Sequence, residues 1–263
     1  MGQNLKDKTS YEAAYWDSRT GGVKRHLLQR RWYNYVNRCL WKRILEKVGD
    51  FKGRQVLFVG CGESSFAARE MAQKGADVWC VDVSCQSLNQ LMKHPFGEFK
   101  SMIHPVVMDA QRMSFQADSF DVVLGKAVVH HLDIKIFMTE LLRVCTPGAR
   151  IVFSEPLETN PFINLFRRLT PKLRVPTEHP LKIRDIKTIT GYCRSSGLNF
   201  SECLSLASYP WFLLGLERTG GFFHRILTKV DLCLFRLIPP LKWLAWIVMI
   251  EGYLTENAQE REK

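Results

Sequence analysis

The eight cysteines of this 263-residue chain include no Cys-x-x-Cys pair. Paired zinc-ligand spacing is thereby excluded, no metal is expected, and the thiols read as buried free cysteines of a reducing compartment. Long apolar runs are also missing. The apolar C-terminal region 211–254 is interrupted by Lys229, Asp231, Arg236, Lys242 and Glu251, well short of the roughly 20 residues of a membrane-spanning helix. There is no repeat and no low-complexity tract. With 46% hydrophobic and 24% charged residues, composition leaves no room for a long disordered tail. The N-terminus lacks the charged-then-apolar order of a signal peptide, and Lys6 stands where a myristoylation start requires Ser or Thr. A cytoplasmic protein, peripheral at a membrane surface at most, is the expectation.

Acidic residues are in deficit, 26 against 37 Lys and Arg, for a net charge of +11. Part of the excess precedes the first strand, in Arg19, Lys24, Arg25, Arg30, Arg31, Arg38, Lys42 and Arg43. Such a surface can meet nucleic acid or anionic lipid, or simply be a solvated helix face.

The pattern places a helical arm over 1–53, where Trp32, Tyr35, Val36, Cys39, Leu40, Arg43 and Ile44 recur at helical spacing. A single larger domain follows over 54–263. Strand-like runs at 55–60, 77–83, 103–108, 120–124 and 150–154 alternate with helix-like runs at 64–74, 84–93 and 134–145, which predicts βαβ units and a parallel sheet. Pro147-Gly148 marks a turn. A proline-rich insertion is expected at about 156–182, then a helix at 183–196 and a strand at 198–206. A second, helical insertion at about 208–243, broken by Pro239-Pro240, precedes a last strand at 246–253. The density of Trp211, Phe212, Leu213, Leu214, Phe222 and Phe223 there predicts a helical lid over the carboxyl edge of the sheet, or an apolar face for a bilayer, the alternative being helices that simply pack on the core.

The first strand runs into Gly60-Cys61-Gly62, a turn that brings backbone close to a ligand at a helix start. Ser65 occupies the third glycine position of a dinucleotide fingerprint, which argues against a nicotinamide dehydrogenase. Asp82 closes the second strand about 20 residues later, where a carboxylate can take both hydroxyls of a ribose or cap the next helix. Met108-Asp109-Ala110 follows the third strand, and Ser119-Phe120-Asp121 opens the fourth.

Over roughly 55–155 the chain resembles the class I S-adenosylmethionine-dependent methyltransferases, nearest to their ubiquinone/menaquinone-methyltransferase-like small-molecule group. The resemblance implies an α/β, Rossmann-like doubly wound sheet of seven strands with the last antiparallel, and S-adenosylmethionine as cofactor. By the same resemblance Gly60, Cys61 and Gly62 line the methionine side, Asp82 holds the ribose, and Asp109 takes the adenine amino group. Val83 and Ala110 flank the adenine, Lys126 lies where main-chain contacts reach the amino group, and Tyr15 closes the site from the arm. Two positions depart from the family: Phe58 replaces an acidic residue and Ser64 a glycine.

Beyond the fourth strand, His130 and His131 can act as base near neutral pH or merely orient a loop. Glu155 ends the fifth strand on the same edge, as a base or a cap. Glu178 and His179 are substrate-side candidates, or a plain turn. The acceptor is expected to be a small, lipophilic or aromatic molecule. An RNA or protein methyltransferase using the basic arm is the alternative, although 125–128 reads Gly-Lys-Ala-Val and not Asn/Asp-Pro-Pro-Tyr. A non-catalytic S-adenosylmethionine-binding module is the third reading.

Overall fold

A computed structural model describes residues 2–19, 27–170 and 178–255. Of the basic arm, Lys24 and Arg25 lie outside the described residues, as do residues 171–177 of the proline-rich insertion. The arm consists of α1 (Gly2–Arg19) and α2 (Leu27–Val48). The sheet follows as β1 (Gln55–Val59), α3 (Ser65–Gln73), β2 (Asp77–Asp82), α4 (Cys85–Met92), β3 (Ile103–Val107), β4 (Phe120–Lys126), α5 (Ile134–Val144) and β5 (Cys145–Pro156). Then come α6 (Pro161–Leu169), α7 (Ile183–Thr190), β6 (Cys193–Ser201), α8 (Tyr209–Leu213), α9 (Glu217–Leu237) and β7 (Ile247–Leu254).

The strands order as β3-β2-β1-β4-β5-β7-β6. β7 runs antiparallel to both neighbours, and the others are parallel. The seven-stranded doubly wound expectation holds. Alternation along β1 sends Leu57 and Val59 to one layer, with Phe137, Met138 and Leu141 of α5, and Val56 and Phe58 to the other, with Ala68 and Met71 of α3. Trp41, Ile44 and Leu45 of α2 belong to that second layer. The arm therefore shares the sheet's own core. Strand order reverses between β1 and β4, so their carboxyl ends open the crevice in which such sheets bind ligands.

The elements differ from the sequence expectation mainly past residue 145. β5 already starts at Cys145, and its pairing with β4 slips between Phe120↔Cys145 and Val122↔Arg150. The helix expected at 183–196 stops at Thr190, and β6 starts at Cys193 rather than 198. Residues 204–208 form a 3-10 turn instead of strand. Ser195, Ser196 and Gly197 become strand because β7 supplies partners at Tyr253, Gly252 and Glu251. No local preference announces that pairing, since serine and glycine are poor strand formers.

The second insertion is held by buried polar groups. Asp231 of α9 accepts the backbone N–H groups of Cys203, Leu204 and Ser205. Glu202, fully buried, pairs with His224 at 2.9 Å and accepts the Ser205 hydroxyl. Tyr35 of α2 donates to the Gly221 carbonyl and packs on Phe212. The first insertion is tied to the second by Asn160, which caps α6 and donates to the Leu244 carbonyl.

Candidate active site

Gly60 and Gly62 sit at φ +59° and +51°, in the left-handed region that favours glycine. A Cβ on Gly60 would stand 2.4 Å from Val128 Cγ2, whereas one on Gly62 would meet nothing within 4 Å. The turn is thus packed on one side against the loop after β4 and open on the other. Cys61 is buried beneath it, its N–H bonded to the Val81 carbonyl. Asp82 faces the turn, one oxygen accepting Gly62 N–H at 2.8 Å and the other Ser84 N–H at 2.9 Å. Burial raises its carboxyl above the usual range, against the pull of those two N–H groups. Ser84, not Asp82, caps α4.

The fit to S-adenosylmethionine rests on this cradle: open space above Gly62, and an aspartate at the end of the neighbouring strand. Asp109 lies beyond β3 with Val83 half-buried and Ala110 buried beside it. One Asp109 oxygen accepts Gln111 N–H and the other the Thr9 hydroxyl of α1, both at 2.9 Å. Asp17 of α1 accepts the Ser84 hydroxyl and Gln86 N–H. α1 therefore lies across the crevice, and Tyr15 stands on it with its phenol raised by burial. Thr9, Glu12 and Asp17 were missed in the sequence; Glu12 and Trp16, four apart and joined at 3.1 Å, were the available signal of one helix face.

The departures have local causes. Phe58 is fully buried and packs edge-to-face on Trp41 of α2, 5.1 Å between ring centroids, so the arm fills that position with aromatic contact. Ser64 precedes α3, but its hydroxyl makes no capping bond. Lys126 turns toward α2, where its ammonium donates to Asn37 at 2.9 Å.

A second polar cluster adjoins the turn. Glu155, 0% exposed, accepts the N–H groups of Val128, Val129 and His130 and is 2.6 Å from His130 Nδ1. Burial alone would raise its carboxyl, but His130 and those N–H groups outweigh it and hold it below the usual carboxylate range. Burial, with His131 beside it, lowers His130. The pair is therefore a neutral imidazole donating to a carboxylate, and Glu155 positions the loop and the ring while facing no solvent. His130 Nε2 points the other way, 3.9 Å from Glu178 Oε1. His131 is 12% exposed, 3.4 Å from Glu12 through Nδ1, with Trp16 edge-on to its ring. His179 is exposed, and no contact draws it to the cluster. α9 rests chiefly on the turns flanking it, on α8, on β6 and on α2, while the side-chain hydrogen bonds that span the crevice come from α1.

Residues 57–153 match the family model described as a methyltransferase domain. A ubiquinone biosynthesis O-methyltransferase of Sinorhizobium fredii is 33% identical over 98 residues, covering 37% of this chain and 39% of the relative. A tRNA U34 carboxymethyltransferase of Idiomarina loihiensis is 29% identical over 120 residues, 43% of this chain and 36% of that one. The chain thus spans less than half the length of either. A geranyl diphosphate C-methyltransferase from Streptomyces coelicolor, solved with S-adenosyl-L-homocysteine, superposes with a TM-score of 0.64 at 10% identity over 94% of this chain and 98% of that one. Residues 57–153 thus match a methyltransferase domain, and the sheet order is that of the class I, S-adenosylmethionine-dependent methyltransferase fold.

Proposed function

We propose that this enzyme methylates a small, lipophilic or aromatic acceptor taken from an anionic membrane surface. The observation that carries this reading is the inverted amphipathicity of both insertion helices. α6 buries Arg167, which donates to the Leu157 carbonyl, and exposes Phe162, Leu165, Phe166 and Leu169. α9 buries Gly220, Gly221, His224 and Asp231 and exposes Phe222, Ile226, Leu232 and Leu237. Soluble helices put the apolar stripe inward, so these outward faces suit a hydrocarbon boundary. Exposed Arg168, Arg218, Arg225, Lys229 and Arg236 flank them as partners for anionic head groups. No helix among the described residues is long and apolar enough to cross a membrane, and the contact proposed is peripheral.

Bound S-adenosylmethionine supplies an electrophilic methyl group, and displacement from sulfur is in-line, so the protein aligns partners and excludes water. α1 covers the crevice, Asp82 and Asp109 hold the ribose and adenine ends, and His131 with Glu178 faces the acceptor's nucleophile. Labelled-methyl transfer into lipid extract, compared with aqueous metabolites and RNA, tests the reading directly. Label is expected in the lipid fraction. Flotation with vesicles containing anionic lipid should carry the protein, and Phe162→Glu with Phe166→Glu should abolish it while binding of S-adenosylhomocysteine persists. Self-association without flotation would give the apolar faces to a second copy, and salt-sensitive transfer to RNA would favour the basic arm as the acceptor surface.

His131→Ala should lower kcat at least tenfold with cofactor affinity near that of the parent. Steady-state rates and calorimetry on the same samples separate the two. Equal turnover would leave the reaction to alignment alone.

A further inference from the structure

His130, His131 and Glu178 each bring one ligand atom to a common point, all within 4.8 Å of one another. We propose that these three side chains bind a divalent cation of the zinc class, with an open position facing the acceptor. The inference rests on the methyltransferase reading and adds the chemical class of acceptor, one that presents a hydroxyl oxygen.

The geometry favours an ion over a simple pair. Around zinc at about 2.1 Å, tetrahedral ligand atoms stand roughly 3.4 Å apart. The 3.9 Å between His130 Nε2 and Glu178 Oε1 is too long for a hydrogen bond and close to that edge. Small side-chain rotations bring the third atom in. The surrounding partners fit as well. A histidine that binds metal through one nitrogen usually gives its other N–H to a carboxylate, which sets the tautomer. His130 Nδ1 lies 2.6 Å from Glu155, and His131 Nδ1 lies 3.4 Å from Glu12. Both rings therefore have Nδ1 directed at a carboxylate, which leaves Nε2 as the ligand atom. Three carboxylates, Glu12, Glu155 and Glu178, converge on two imidazoles. A cation balances that charge. Two histidines and one carboxylate leave a coordination position for an external oxygen. His130 and His131 follow Val128, on which the Gly60 turn packs, which puts that position next to the transferable methyl.

A hydroxyl oxygen resting on the cation loses its proton to solvent water more readily. Its lone pair then forms the O–CH3 bond as the S–CH3 bond breaks, with that bond's electron pair remaining on sulfur. The products are a methyl ether and the neutral thioether.

The test uses full-length protein stripped with chelator and titrated with Zn2+, with Co2+ as spectroscopic probe. About one ion per chain is expected, with a Co2+ visible spectrum showing nitrogen and oxygen ligands in low coordination. Glu178→Gln and His131→Ala should each weaken Zn2+ at least tenfold, and Glu12→Gln should weaken it less. S-adenosylhomocysteine affinity, measured in parallel, should be unchanged in Glu178→Gln, which reports an intact fold. Failure to bind an ion, a hexa-aqua Co2+ spectrum, or Zn2+ affinity equal in parent, Glu178→Gln and His131→Ala overturns the site while leaving the methyltransferase reading in place. Failure to bind S-adenosylhomocysteine would instead sink that reading.

Discussion

Replacing Glu155 by alanine is expected to lower the free energy of unfolding by about 3–5 kcal/mol, since several buried N–H donors would each lose their acceptor at a cost of about 1–3 kcal/mol. Its carboxylate is fully enclosed, and it accepts three consecutive backbone N–H groups as well as His130. Alanine would leave those donors buried without acceptors. Urea titration at constant m-value measures the loss. A change below about 1 kcal/mol would show that the loop after β4 is held by its packing on Gly60 instead. The pH dependence has a definite sign. Both His130 and Glu155 titrate below their usual values of 6.5 and 4.5 in the folded chain. Each depressed group contributes stability that is full above its unfolded value and lost as pH falls through its folded value. The parent should therefore lose stability on acidification below about 6.5, and more steeply below about 4.5. In Glu155→Ala the carboxylate part of that slope should vanish, so the gap between the two proteins narrows toward acid pH.

Asp82→Ala should weaken S-adenosylhomocysteine binding by about 1.5–3 kcal/mol, on the order of 10- to 150-fold. The carboxylate has two duties. It offers acceptor positions toward the crevice, and it holds the Gly62 and Ser84 N–H groups that shape the turn. Asp82→Asn retains one acceptor oxygen and should fall between parent and alanine. Isothermal titration, with circular dichroism to confirm folding, measures both variants. Undiminished affinity in a folded Asp82→Ala protein would confine the residue to ordering the turn.

The cofactor side was legible because its signals are local. A strand ending in Gly60-Cys61-Gly62, an aspartate ending the next strand and another after the third are set by short-range backbone needs and a regular βαβ rhythm. Asp82 and Asp109 accordingly stand where the spacing put them. Glu155 was legible as a residue but not in its part, since a carboxylate at a strand's carboxyl end looks the same in sequence whether it faces a substrate or an enclosed run of N–H groups. Only the approach of the 128–130 loop decides that.

The sequence by itself determined the βαβ order, the glycine turn and the acidic residues at the strand ends, because each depends on neighbours within a few positions. Tertiary structure alone decided the rest. β6 exists as a strand from Cys193 because β7, some fifty residues on, pairs with it. α1 supplies Thr9, Glu12 and Asp17 to a crevice built about seventy or more residues later in the chain. The apolar faces of α6 and α9 point outward because buried Arg167, His224 and Asp231 find their partners inside. Helical periodicity shows that a helix has two faces. Which of them turns inward depends on where distant chain places the matching hydrogen-bond donors and acceptors.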